Sequence, residues 1–508
     1  MNAFYITTPI YYVNDKPHIG HAYTTIACDI ISRYNKLLGN DVYFLTGTDE
    51  HGQKVEKAAN AAALKPQEFV DKMSKNFQDL VSFLNCEISD FIRTTDDRHI
   101  KASQSLWKKL LDNNQIYLSN YEGWYSVRDE AFYAENELTK KNDKFIAPSG
   151  AEVEWIKEES YFFKLSEWRD KLIDFYEKNP NAIKPQSRFN EVLSFIKGDL
   201  KDLSISRTTF KWGVPVPNND KHVMYVWIDA LCNYITSIGY PDTNNENFKK
   251  YWPGLHVVGK DILRFHSVYW PAFLMAADLE PPTRVFAHGW WTNEGEKISK
   301  SLGNIIDPYE VVSNYGLDQI RFFLFREVPF GNDGDFSKGS IAQRINADLS
   351  NNFGNLVQRI CSFINKNCNS TVSNIVNYND EDNKLIAFSI NKLDKYKQYM
   401  NEQSIDKSLK EVFELLTETN VYVDKQAPWI LKKTSLERMN AVLFVSLEII
   451  RRSSILLFPV MPGSCEKVFS ILNVDKKDIT LNNYQTTLSE PYRINESFPV
   501  FPRIDIDD

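Results

Sequence analysis

Residues 3–52 read AFYITTPIYYVNDKPHIGHAYTTIACDIISRYNKLLGNDVYFLTGTDEHG. The first ten, AFYITTPIYY (3–12), are β-branched and aromatic, which predicts a buried strand. Asn14, Asp15 and Pro17 punctuate a turn over 13–17. From 18 to about 38, Ala22, Ile26, Ile30 and Tyr34 recur every four residues. That is the spacing of one helix face, and Gly39 stops it. A second strand over 41–45 leads into the loop TGTDEHG (46–52), which opens a second helix. Strand, helix, strand, helix predicts an α/β fold with a doubly wound parallel sheet.

Outward from this stretch the pattern changes twice. Between about 115 and 225, short strands, Trp- and Tyr-rich segments and turn residues predict an inserted domain. The α/β pattern returns at HVMYVWIDAL (222–231) and LHVVGKDI (255–262). From about 340 the periodicity is helical. Ile405, Leu409, Val412, Phe413 and Leu416 form one apolar stripe, as in a helix bundle. The expected organisation is 1–114 and 226–340 as the two halves of one α/β domain, 115–225 inserted, and 341–508 helical. No internal repeat is visible, and the Asn- and Asp-rich segment 367–383 reads as a surface loop.

The bulk properties narrow the class. At 508 residues and 59.0 kDa the chain has room for about three to four domains. With 43% hydrophobic and 25% charged residues, it has ordinary globular composition. Aromatics reach 13%, more than core filling needs, which points to rings lining a ligand site. Mean hydropathy is −0.40, and the most apolar region, 441–462, is interrupted by Glu448, Arg451 and Arg452, against a membrane span. The N-terminus has neither a basic start nor a cleavable apolar run, so no secretory signal is expected. Six cysteines lie scattered without a CxxC pair, as reduced thiols in a cytoplasmic protein would. A net charge of −8 argues against non-specific coating of nucleic acid.

Two short segments carry candidate chemistry. His18-Ile19-Gly20-His21 falls at a strand-to-helix junction, where unsatisfied backbone N–H groups attract phosphate. Gly20 lets a flat base approach the backbone, and two imidazoles three residues apart can donate to phosphate oxygens. Taken alone, surface or metal-binding histidines fit equally well. Lys297-Ile298-Ser299-Lys300-Ser301, between Gly295 and Gly303, offers two lysines that can swing onto a triphosphate; a solvated polar loop is the plain alternative. Gly254 to Asp261 almost spells a phosphate-binding loop but lacks the hydroxyl that would hold Mg²⁺, and its LHVV reads as strand.

HIGH followed about 280 residues later by KISKS, on this α/β pattern, resembles the class I aminoacyl-tRNA synthetases and implies a Rossmann-like catalytic domain. TTPIYYVN, TGTDEHG, VWIDALCNY (226–234), GKDILRFHSVYWPAFL (259–274) with the HGWW that follows, and QAPW (426–429) narrow the resemblance to the methionyl-tRNA synthetase family. The resemblance implies a ligase that activates methionine with ATP and transfers it to tRNA(Met). It implies catalytic roles for His18, His21, Lys297 and Lys300. These four, with Gly20, Gly259, Asp261, Ser299 and Ser301, would hold ATP, and Mg²⁺ would arrive with the nucleotide. Ile10, Tyr12, Trp227, Ala230, Leu231, Tyr234, Ile262, Phe265, His266 and Trp270 would enclose methionine, whose sulfur favours aromatic faces. Asp49 would pair with its ammonium group. Core packing is the competing reading for several of these rings.

The resemblance also implies that 341–508 is an anticodon-binding bundle, with Asn355, Arg359, Pro428 and Trp429 at the reading positions. Trp429 can stack on an unpaired base, while Asn355 and Arg359 can bond base edges. One departure stands out. Where relatives often carry zinc-binding cysteines, YEGWYSVRDEAFY has Ser126 and Asp129, so no structural zinc is expected. A monomer is expected because the chain stops at Asp508, without the further module that dimerises some relatives. Three other readings compete: a different class I synthetase, an inactive synthetase-like tRNA-binding protein, and a nucleotidyltransferase of the same superfold. An insertion of about 110 residues is short for the editing sieve that branched aliphatic substrates demand.

Overall fold

A computed structural model describes residues 2–13, 16–129, 131–133, 135–141, 143–298, 304–373, 377–488 and 491–504. The chain divides into two compact units. One comprises 3–17 and 43–287, the other 1–2, 18–42 and 288–508.

The first unit holds a seven-stranded sheet. Its order is Ile183–Lys184, Arg284–His288, Leu255–Gly259, Ala3–Thr7, Asp41–Asp49, Tyr11–Tyr12, with Asp90–Arg93 also paired to Asp41–Asp49. Ala3–Thr7 runs parallel to Leu255–Gly259, and Asp41–Asp49 runs parallel to both Tyr11–Tyr12 and Asp90–Arg93. The single strand expected over 3–12 is two strands, because Pro9 has no N–H to give a ladder. The next strand is longer than expected and absorbs the TGTD of the loop, ending at Asp49. Gly47 permits this. A Cβ there would lie 2.0 Å from the Ile92 carbonyl oxygen of the adjacent strand.

Leu45, Ile92, Leu106, Trp107, Phe163 and Phe273 belong to the core of this unit. Burying each such side chain contributes about 1.5–3 kcal/mol. A six-stranded sheet grows from the long antiparallel pair Ile116–Ser126 and Glu152–Phe163, in register from Ile116 opposite Phe163 to Tyr125 opposite Glu154. LHVVGKDI splits into the strand Leu255–Gly259 and a tight turn at Lys260–Ile262. YVWIDAL turns into the helix Val226–Leu231.

In the second unit the helix Ile19–Leu37 is buried along most of its length. Its Asp29 carboxylate accepts from Arg33 Nε at 2.8 Å and Arg321 Nη2 at 2.6 Å, and Arg321 also donates to the carbonyls of Pro459 and Val460. A buried carboxylate is tolerable because two guanidinium groups share it. Asn355–Asn367, Asp380–Asn401, Ile405–Gln426, Leu436–Leu457 and Pro462–Leu472 form a helical bundle. The stripe from Ile405 to Leu416 is buried as its spacing predicts. Leu436–Leu457 buries Glu448 and Arg451 as a pair at 2.9 Å. No helix among the described residues is long and apolar enough to cross a membrane. The expected loop 367–383 is shorter. It contains the strand Thr371–Val372, and the next helix begins at Asp380, where Asn379 and Asp382 form a capping box.

Candidate functional site

In the second unit, the HIGH segment is built around its own backbone. His18 is the N-cap of Ile19–Leu37, and its Nδ1 accepts from Gly20 N at 3.1 Å. His21 Nδ1 accepts from His18 N at 3.0 Å, and the two rings lie 3.9 Å apart. Since each Nδ1 is an acceptor, each imidazole carries its hydrogen on Nε2. Burial, and then the neighbouring His18, hold the His21 pKa well below the usual histidine range, so His21 is neutral at pH 7. A Cβ at Gly20 would lie 2.9 Å from His18 Cε1. The missing side chain therefore makes room for the His18 ring itself, a more local reason than access for a base.

Behind the rings, Thr24 Oγ1 donates to Gly20 O and lies 2.8 Å from His288 Nε2, the histidine of HGWW. Of KISKS, Lys297 lies in the strand Glu296–Lys297, opposite Thr292 in a hairpin rather than on an open loop. Ser299, Lys300 and Ser301 lie outside the described residues, as does the side chain of Lys297.

In the first unit the expected methionine-site residues gather from four segments. Trp227 stacks on Phe265, with ring centroids 3.8 Å apart and 6° between planes. Tyr234 OH lies 2.7 Å from His266 Nε2, whose Nδ1 lies 2.9 Å from the Ile262 carbonyl oxygen. A carbonyl only accepts, so Nδ1 carries the hydrogen and Tyr234 donates to Nε2. Burial pushes the His266 pKa down to about 4, against opposing pulls from the Ile262 carbonyl and Asp261. Trp270 is buried 6.1 Å from Tyr234. Ile10, Tyr12 and Ile262 pack against the same core as half-buried residues, and Ala230 and Leu231 lie buried in the Val226–Leu231 helix. Asp49 is buried opposite Tyr12 in the sheet register. Gly259 ends its strand, and Asp261 is exposed on the turn after it.

Residues with no assigned role also enter this region. His256 accepts from Trp270 Nε1 at 3.3 Å and lies 2.9 Å from Thr7 Oγ1. Tyr5 OH donates to the Tyr234 carbonyl at 2.7 Å. Asp229 lies 2.7 Å from both His51 Nδ1 and His99 Nε2. His51 and Asp229 sit inside quoted motifs, which is a signal. His256 lies inside the LHVVGKDI stretch with no role attached to it there, while His99 lies in no motif and meets Asp229 across 130 residues of sequence.

In the bundle, Arg359 donates to Asp424 at 2.6 Å and to Asn420 at 3.2 Å, with its guanidinium carbon 5.8 Å from the Trp429 ring centroid. Asn355 is exposed one helical turn earlier on the same face. Trp429 is 42% exposed, beside the buried Pro428. A large ring left open beside a held guanidinium suits base stacking.

At the zinc-knuckle position, Asp129 accepts from Ser126 at 3.1 Å, Tyr133 at 3.0 Å and Ser149. Burial raises its pKa, but these three hydroxyls outweigh burial and hold it below the ordinary carboxylate value. One carboxylate saturated by hydroxyls does not fit a thiolate-seeking ion. Among the described residues no group of three or more His, Cys, Asp or Glu is placed to hold a metal.

Residues 4–361 match the family described as "tRNA synthetases class I (M)", and residues 372–496 match "Anticodon binding domain of methionyl tRNA ligase". The chain is 53% identical to a methionine–tRNA ligase of Rickettsia bellii, over 99% of both chains. It is 50% identical to one of Brucella suis, over 98% of both. Its structure resembles that of Mycobacterium tuberculosis methionyl-tRNA synthetase in complex with methionyl-adenylate, with a TM-score of 0.97 and 45% identity, over 99% of this chain and 100% of that one.

Proposed function

The chain belongs to the methionyl-tRNA synthetase family, and we infer from that premise that it joins L-methionine to tRNA(Met) at the expense of ATP. In the first step a methionine carboxylate oxygen attacks the α-phosphorus of ATP. The bond to pyrophosphate breaks and methionyl-adenylate forms. In the second, a hydroxyl of the tRNA terminal ribose attacks the methionyl carbonyl and AMP leaves. Neither step needs a covalent protein nucleophile, so the protein's work is orientation and charge stabilisation.

The Nε2–H groups of His18 and His21 act as neutral donors to the nucleotide phosphates. A neutral donor stabilises charge that develops in transit without clamping the product anion. Lys297 and Lys300 add positive charge to the pyrophosphate side, with Ser299 and Ser301 beside them. Gly20, Gly259 and Asp261 complete the nucleotide contacts, with Asp261 accepting from the ribose hydroxyls. Mg²⁺ enters as part of the ATP substrate.

Asp49 pairs with the methionine ammonium. Ile10, Tyr12, Trp227, Ala230, Leu231, Tyr234, Ile262, Phe265, His266 and Trp270 wall in the thioether side chain. In the bundle, Arg359 and Asn355 bond anticodon base edges and Trp429, set by Pro428, stacks on a base. The six cysteines are scattered along the chain, and Cys28, Cys232, Cys361 and Cys465 lie buried, which supports a reducing, cytoplasmic setting.

The observation that carries this reading is the joined aromatic wall. Trp227 on Phe265, and Tyr234 on His266, offer a polarizable surface for a sulfur. Both matched families name methionine, so the readings as another class I synthetase, an inactive relative or a nucleotidyltransferase lose their support. The test is ATP–pyrophosphate exchange with each of the twenty amino acids. Exchange is expected with methionine; a preference for another amino acid, or none at all, overturns the reading.

A further inference from the structure

We propose that Asp229 is a positioning residue for methionine recognition, fixing the segment that carries Asp49 against the helix that carries Trp227, Ala230 and Leu231. The proposal rests on the methionine reading above and adds to it how the two ends of the pocket keep their separation.

Asp229 is 1% exposed, in the middle of the helix Val226–Leu231. Its Oδ2 lies 2.7 Å from His51 Nδ1 and its Oδ1 lies 2.7 Å from His99 Nε2. His51 follows Asp49 by two residues, and Asp229 follows Trp227 by two. One hydrogen bond therefore joins the end of the Asp41–Asp49 strand to the helix of the ring wall, across 178 residues of sequence. Burial raises the Asp229 pKa, but the two histidines outweigh it and hold the carboxyl at about 2, so the group is ionised throughout the physiological range. Charge-assisted bonds of this kind are short and directional.

The other anchors of the segment point elsewhere. Glu50, fully buried, accepts from Arg93 Nε at 2.7 Å and Nη2 at 3.0 Å, and from Thr48 at 2.7 Å. Trp212 Nε1 donates to Glu50 O at 2.6 Å, and Gly52 N donates to Trp212 O at 3.0 Å. These hold the segment to its neighbours in the sheet and to 212. The His51–Asp229 bond holds it to the wall that surrounds the substrate side chain. His99 keeps the second carboxylate oxygen occupied, so Asp229 has one orientation.

Methionine is gripped at its ammonium by Asp49 and at its sulfur by the rings, so the distance between the grips is a recognition element. A misplacement of about 1 Å is costly in such a site. Steady-state pyrophosphate exchange should therefore split the two substrates. Asp229→Asn is expected to raise the methionine KM on the order of tenfold and to leave the ATP KM within about twofold, because one buried histidine N–H loses its acceptor.

His51→Ala should reproduce that split. His51→Asn places a side-chain N–H near the Nδ1 position and should recover most of the loss, which a purely structural role would not predict. Parallel rises in both KM values, an unchanged methionine KM, or failure of His51→Asn to recover overturn the proposal. If Asp229→Asn does not fold, the His51 pair decides alone. Exchange by the unsubstituted protein with an amino acid other than methionine is a different outcome; it removes the substrate reading itself.

Discussion

The pair Tyr234 and His266 allows a prediction whose size follows from the structure. Folded, His266 is buried and neutral, with its pKa at about 4. Unfolded, the ring takes up a proton near 6.5. Between those values the unfolded chain binds more protons than the folded one, so acid favours unfolding. Above about pH 6.5 the group costs nothing. As pH falls to 4, stability on the order of 3 kcal/mol is lost, of which about 2 kcal/mol has gone by pH 5.

His266→Gln removes the titration while leaving an acceptor for the Tyr234 hydroxyl. Urea unfolding of both proteins at pH 7.5 and pH 5 isolates the difference. The native protein should lose about 2 kcal/mol more than the variant over that interval. Histidine ¹⁵N resonances supply the direct check, since His266 should show its hydrogen on Nδ1 and stay neutral to about pH 4. A titration near 6.5, a hydrogen on Nε2, or an equal acid sensitivity of the two proteins refutes the reasoning.

Lys300→Ala is expected to slow methionyl-adenylate formation roughly 10²–10³-fold, as for a lost donor aimed at transition-state charge; unchanged single-turnover adenylation removes that role. Trp429→Ala should lower charging of tRNA(Met) by the equivalent of about 1–3 kcal/mol of lost stacking while pyrophosphate exchange stays intact. Equal loss in both assays would make the ring structural. Arg359→Ala should relax preference among anticodon variants in aminoacylation, and unaltered discrimination excludes it from base reading. Gly47→Ala drives a Cβ into the Ile92 carbonyl and should cost about 3 kcal/mol or more of stability; an unchanged urea midpoint would contradict the close strand approach.

Where neighbours in the chain are also neighbours in space, the reading from residues alone carried far. The HIGH helix, its stop at Gly39 and the buried stripe from Ile405 to Leu416 all depend on spacing within one element, and the parallel sheet follows from their alternation. The motif residues named the candidate site for the same reason. The HIGH motif is a helix end with its own hydrogen-bonding logic, as His18 and His21 show by capping their own helix.

What lay beyond that reading is contact between distant segments. Pro9 splits the first strand because a ladder needs an N–H opposite a partner, and the partner is known only once the sheet is ordered. The stacking of Trp227 on Phe265, the neutral state of His266 and the clasp of Asp229 by His51 and His99 depend on burial and on chain crossings of 32 to 178 residues. Composition and periodicity describe single elements, whereas desolvation and hydrogen-bond geometry belong to pairs of elements, and only folding brings those pairs together.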